Sequence, residues 1–186
     1  MNARQLIKFL GVIEKLKCNT RHSWTSSGRQ ESVAEHSWRL AVMAMLCADE
    51  YPHIDANKLI KMCLIHDFGE AVTGDVPSFL KTDENERDEA SAISSLLAML
   101  PDGTAEELRE MFCEMDAMKS DEARLCKALD NMEGVLSHNE APLSTWIPLE
   151  RELNLTYGED KAAFSPWTKQ FRDLLRADSI RKLETE

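Results

Sequence analysis

The chain has 186 residues, 43% apolar and 30% charged, enough for one folded domain with a real core. Lys and Arg total 22 against 33 Asp and Glu, a formal net charge of -11 at pH 7. That sign disfavours nucleic-acid polymers and anionic membranes, and leaves small phosphorylated metabolites as better-suited anions if a local basic pocket exists. The longest apolar run, Leu40 to Ala48, stops at Asp49, far short of the ~20 residues a membrane helix needs. The opening MNARQLIKFLGVIEKLK is charged throughout and lacks the apolar block of a secretory signal. Five cysteines form no C-x-x-C pair, and Cys47, Cys63 and Cys126 lie among apolar residues. They read as buried free thiols in a reducing cytoplasm.

Helical periodicity dominates between the few Gly and Pro residues. A first helix is expected near 2–17, followed by a polar segment, Asn19 to Gln30, long enough to be a functional loop. A second runs from about Ser32 to Glu50, with Ser32 and Glu35 at capping-box spacing. Tyr51-Pro52 ends it. The third covers about Ala56 to Ala71 and closes at Thr73-Gly74-Asp75; the fourth spans Asp83 to Leu100. After the turn Pro101-Asp102-Gly103, Thr104 is placed to cap the next helix, with Glu107 three residues on. Asp121 to His138 forms another long helix, its stripe made of Leu125, Ala128, Leu129, Met132, Val135 and Leu136. Residues from Pro142 to Pro148 break the pattern, and about 149–183 are mainly helical around an interruption at Pro166. No strand alternation stands out. The expectation is a single all-α domain over 1–186, a helical bundle with its motif-bearing core at about 6–138 and a C-terminal helical extension. The apolar residues of that extension (Trp146, Ile147, Phe164, Trp167, Phe171, Leu174, Leu175) would cover the domain or meet a partner.

Chemistry concentrates in three places. His36 precedes Leu40, Met43 and Cys47 by four, seven and eleven residues, so its imidazole falls on a buried stripe. On the third helix Cys63, His66, Asp67 and Glu70 crowd one inward sector. Burying carboxylates there is costly without a compensating cation. Asp130 lies beside the apolar stripe of its own helix and can face the same centre. Two imidazoles and two carboxylates suit one divalent cation, Mn²⁺, Fe²⁺, Co²⁺, Ni²⁺ or Zn²⁺ more readily than Mg²⁺.

In order, E-H-S-W (35–38), I-H-D-F-G-E (65–70), T-G-D-V-P (73–77) and K-A-L-D-N (127–131) resemble the HD-domain phosphohydrolases, most closely their 5′-deoxynucleotidase, YfbR-like branch. H…HD…D marks the superfamily; the H-D-x-x-E, the T-G-D-x-P and the upstream R-x-x-W narrow the branch. The resemblance implies an HD-type bundle in which His36, His66, Asp67 and Asp130 ligate the metal. It implies Glu70 as catalytic acid/base and Arg21 as the residue that orients phosphate, through paired guanidinium donors. Trp24 and Asp75 match sugar-contacting positions, and Lys81 a recurring lysine that adds positive potential. Ser23 stands where part of the family has glycine before the tryptophan.

The implied activity is metal-dependent removal of the 5′-phosphate from (deoxy)nucleoside monophosphates by a cytoplasmic homodimer. Two alternatives stay open: the same centre acting on another nucleotide or phosphate ester, and a metal-binding regulatory module without turnover. Glu70 and Arg21 argue against the second, since holding a metal requires neither.

Overall fold

The computed structural model describes residues 1–185. Asn2 caps α1 (Ala3–Ile13), which continues into a 3-10 turn, Glu14–Lys17. A short antiparallel ribbon follows, β1 (Thr20–Trp24) on β2 (Gln30–Ser32), with Thr20 opposite Ser32 and Trp24 opposite Gln30. The loop expected at 19–30 is therefore partly strand. Two strands this short, made largely of polar residues, carry no hydrophobic alternation to read. Ser32 closes β2 and caps α2 (Val33–Cys47), with the expected reciprocal bond from Glu35.

The third predicted helix is interrupted. Regular α3 (Ala56–Ile65) ends at His66, and the chain tightens through i→i−3 bonds (Phe68 N–H to Ile65 O, 2.9 Å; Glu70 N–H to Asp67 O, 3.0 Å) before α4 (Glu70–Thr73). Gly69 sits at the tightest approach. A Cβ there would stand 2.6 Å from Glu89 Cγ of α5 (Asp83–Leu97). The next helix, α6 (Asp102–Ala117), starts at Pro101 rather than at Thr104, because the Pro101 carbonyl already accepts the Ala105 N–H at 2.9 Å. Glu107 pairs instead with Lys61, at 2.7 Å.

The long helix α7 (Asp121–Glu140) is the hub, packed against α2, α3, α6 and β1. Its Leu125, Ala128, Leu129, Met132 and Val135 are buried with Leu40, Leu59 and Met62. The C-terminal extension, α8 (Pro148–Thr156), α9 (Glu159–Ala162) and α10 (Pro166–Thr185), folds back on α7. Ala162 and Leu175 join the main core, Phe164, Trp167 and Phe171 pack on it, and Leu174 stays exposed. The extension covers the domain. Arg172, 2% exposed, locks it by donating to the Tyr157 carbonyl at 2.7 Å and the Asn154 carbonyl at 3.0 Å. Cys47, Cys63 and Cys126 are buried free thiols, while Cys18 and Cys113 are exposed. Among the described residues no helix is long and apolar enough to cross a membrane.

Candidate active site

Three helices bring four donors to one point. His36 comes from α2, His66 and Asp67 from the tightened end of α3, and Asp130 from the middle of α7. His36 Nε2 lies 3.2 Å from His66 Nε2, 3.2 Å from Asp130 Oδ1 and 3.8 Å from Asp67 Oδ2. His66 Nε2 lies 3.1 Å from Asp67 Oδ2 and 3.7 Å from Asp130 Oδ1. Ligand bonds of about 2.0–2.2 Å set neighbouring donors roughly 3.0–3.5 Å apart. His36, His66 and Asp67 form one such group, and Asp130 Oδ1, close to both imidazoles, joins it with a small contraction.

The proton inventory makes the same point. His66 Nδ1 lies 2.9 Å from the Cys63 carbonyl, which can only accept, so Nδ1 carries the hydrogen. His36 Nδ1 likewise donates to Glu133 Oε2, inside a cage where Ser137 Oγ and Arg39 Nε each lie 3.0 Å from Glu133 Oε1. Both neutral imidazoles then turn an Nε2 lone pair toward two carboxylates. Four acceptors with no donor among them need a cation or extra protons. Without the cation, protons fill the gap: burial opposes charge on all four groups, but Glu133 and Asp130 raise His36, Asp67 and Asp130 raise His66, the two imidazoles lower Asp67, and Lys127 with the imidazoles lowers Asp130. Asp67 Oδ2 is buried and makes no hydrogen bond.

The group opens on a cleft. Arg21, His22, Asp67, Glu70, Asp75 and Lys127 are among the residues that line it. Arg21 NH1 is 3.7 Å from Asp67 Oδ2, and its Nε is 3.5 Å from Glu31 Oε2. Burial works against the guanidinium's charge, but Glu133, Asp67, Asp130 and Glu31 together hold the proton more firmly than usual. Its NH2 lies 3.9 Å from where a Cβ on Gly134 would stand, so a larger side chain there would compete for its space. Glu70 is 5% exposed and its Oε2 has no partner. Burial first, then the Asp67 and Asp75 carboxylates, push its carboxyl up to about 9. Burial also raises Asp75.

Two expected substrate residues lie differently. Lys81 reaches the cleft wall with its ammonium paired to Glu89 Oε2 at 2.6 Å. Trp24 does not line the cleft. The two-residue period of β1 puts it beside His22, ring centroids 5.1 Å apart, and His22 is the ring that lines the cavity. Other members escaped the sequence reading. Lys127 binds the outer oxygen of Asp130, Oδ2, at 2.8 Å, and so fixes which oxygen faces the histidines. Glu133 sits one helical turn past Asp130, a spacing that was there to be read. The far wall, Glu150, Leu153, Asn154 and Tyr157, comes from the C-terminal extension.

An all-α domain whose two-histidine, two-aspartate centre opens on a cleft with an arginine and a lysine has the architecture of a metal-dependent phosphohydrolase. The HD domain family profile matches residues 13–171, and the chain belongs to that family. It is similar to the bovine (Bos taurus) protein named 5′-deoxynucleotidase HDDC2, 34% identical over 142 residues, 74% of this chain and 68% of that one. The human (Homo sapiens) protein of the same name is 32% identical over 142 residues, 74% and 69% of the two chains. A solved structure of a predicted metal-dependent phosphohydrolase from Magnetospirillum magnetotacticum MS-1 superposes with a TM-score of 0.81 at 28% identity, covering 96% of this chain and 93% of the other.

Proposed function

We propose that this protein removes the 5′-phosphate from deoxynucleoside monophosphates with one divalent cation held by His36, His66, Asp67 and Asp130. The observation that carries the reading is the meeting of those four donors, Arg21 and the partnerless Glu70 carboxyl on one cleft. The donor set favours Mn²⁺, Co²⁺, Fe²⁺, Ni²⁺ or Zn²⁺. When bound, such a cation acidifies the attacking water and neutralises phosphoryl charge. Arg21 holds phosphate oxygens and stabilises the charge that grows as the P–O bond breaks. Glu70 takes a proton from the attacking water and returns one to the departing 5′ oxygen, so nucleoside and inorganic phosphate leave together. A raised carboxyl holds a proton near neutral pH, and the nearby cation draws it back toward that range.

Asp75 reads the sugar, Lys81 adds positive potential, and Trp24 acts on the substrate only through His22, on which it packs. A cytoplasmic homodimer belongs to the same reading, on the family resemblance.

The test is phosphate release from matched deoxy- and ribonucleoside 5′-monophosphates with each metal, in wild type and in Asp75→Ala. Wild type is expected to prefer the deoxy series, and Asp75→Ala to shift that ratio, because a sugar contact acts only where the substrates differ. Equal wild-type rates, or an unchanged ratio, remove the sugar-reading role. Release from none of them by a metal-loaded protein rejects the monophosphatase reading and leaves another phosphate ester or the regulatory module.

A further inference from the structure

The face of α7 toward the cleft is one stripe at four-residue intervals: Asp130 in the metal group, Gly134 beneath the Arg21 guanidinium, and His138. His138 reaches β1 itself. Its Nδ1 sits 3.2 Å from Asn154 Nδ2, an amide nitrogen that can only donate, so the ring hydrogen is on Nε2. That Nε2–H donates to the His22 carbonyl at 3.2 Å. Burial lowers the His138 pKa and keeps this neutral form. The same residue's ring is in close contact as well. His22 Nε2 lies 3.1 Å from Glu150 Oε1 on α8, near but without hydrogen-bond geometry, while Glu150 Oε2 accepts the Ile147 N–H at 2.8 Å. Glu150 is 2% exposed, and its backbone anchors to α7 through Trp146, whose Nε1–H donates to the His138 carbonyl at 3.0 Å.

We infer that Glu150, with His138, is a positioning residue: its carboxylate backs the His22 ring while His138 binds the His22 carbonyl, and together they set Arg21, the preceding residue on β1, over the metal group. The geometry requires such a device. β1 is an edge of a two-stranded ribbon, and an isolated two-stranded hairpin is only marginally stable. Arg21's own contacts, at 3.5 and 3.7 Å, are loose. The strand's precision then comes from α7 and α8. The C-terminal extension is part of the catalytic apparatus rather than a cover alone. This inference rests on the phosphohydrolase reading for its kinetic consequence, but not for its structural one.

The test is a double-mutant cycle on the full chain with 2′-deoxyadenosine 5′-monophosphate as probe. Wild type, Glu150→Ala, Arg21→Ala and the double variant are compared in kcat and KM, and hydrogen exchange is followed at the β1 amides. Glu150→Ala is expected to lower kcat/KM on the order of tenfold, as small misplacements of a substrate-holding group do. In the Arg21→Ala background the same change is expected to cost less than about twofold, since the residue it positions is gone. Exchange at β1 is expected to quicken. Equal losses in both backgrounds overturn the inference, and so does unchanged β1 exchange. Should Glu150→Ala not fold, the isosteric Glu150→Gln runs the same cycle, since it keeps the volume and removes the carboxylate charge beside His22. A wild type without turnover on any matched deoxynucleoside monophosphate counts against the 5′-deoxynucleotidase reading, and the exchange data still decide the clamp.

Discussion

Glu70→Gln is expected to lower kcat by on the order of 10²-fold or more while metal content stays at the wild-type level. Glutamine fills the same volume at a position only 5% exposed, so the packing between α4 and α5 survives. What it removes is a proton site. The lost group is a carboxyl whose Oε2 has no partner and whose proton affinity is raised by burial and by two neighbouring carboxylates. Because Glu70 is not among the four converging donors, the cation has no reason to leave. Metal analysis alongside steady-state kinetics separates the two effects. A metal-loaded variant with near-normal kcat would move the proton-transfer role to another group.

Complete removal of divalent metal is expected to abolish phosphate release, and added metal to restore it. The four donors face one another with acceptor lone pairs, and no residue in the group supplies a compensating donor once both Nδ1 hydrogens are committed. Lys127 binds the outer oxygen of Asp130, Oδ2, at 2.8 Å, and Arg21 only approaches the ligand-side oxygen of Asp67, Oδ2, at 3.7 Å without a hydrogen bond. Neither can take the cation's place between the imidazoles. Ligand imidazoles must be deprotonated, so restoration should need more metal as pH falls. Assaying the chelated protein before and after readdition is enough; full turnover after exhaustive chelation contradicts the expectation.

The convergence of the metal group was legible where a helix's apolar period fixes the inward face, His36 through Leu40, Met43 and Cys47 and Asp130 through Leu129 and Met132, while His66 and Asp67 lie in the turn that ends α3. Glu70 and Arg21 needed the family resemblance, since a carboxylate on a helix or an arginine in a polar segment is usually solvated. The Thr20–Ser32 ribbon was hidden, because strands this short have no pattern beyond that of a polar loop. Glu133 was missed for a different reason. A charge on an apolar stripe reads as an exception until the partner across the interface, here His36 Nδ1, is known. The Glu150 wall was beyond reach, as it depends on how the extension after Pro142 folds back, a long-range packing choice with no local signature. The break in the third helix at His66 leads straight into the close approach of Gly69 to Glu89, again a tertiary contact.

The most direct measurement of the central claim is anomalous diffraction from crystals of the wild-type protein grown with Zn²⁺. One strong peak is expected about 2.0–2.2 Å from His36 Nε2, His66 Nε2 and a carboxylate oxygen each of Asp67 and Asp130. No peak among these atoms at saturating metal, or a structure in which the four side chains point apart, would contradict it.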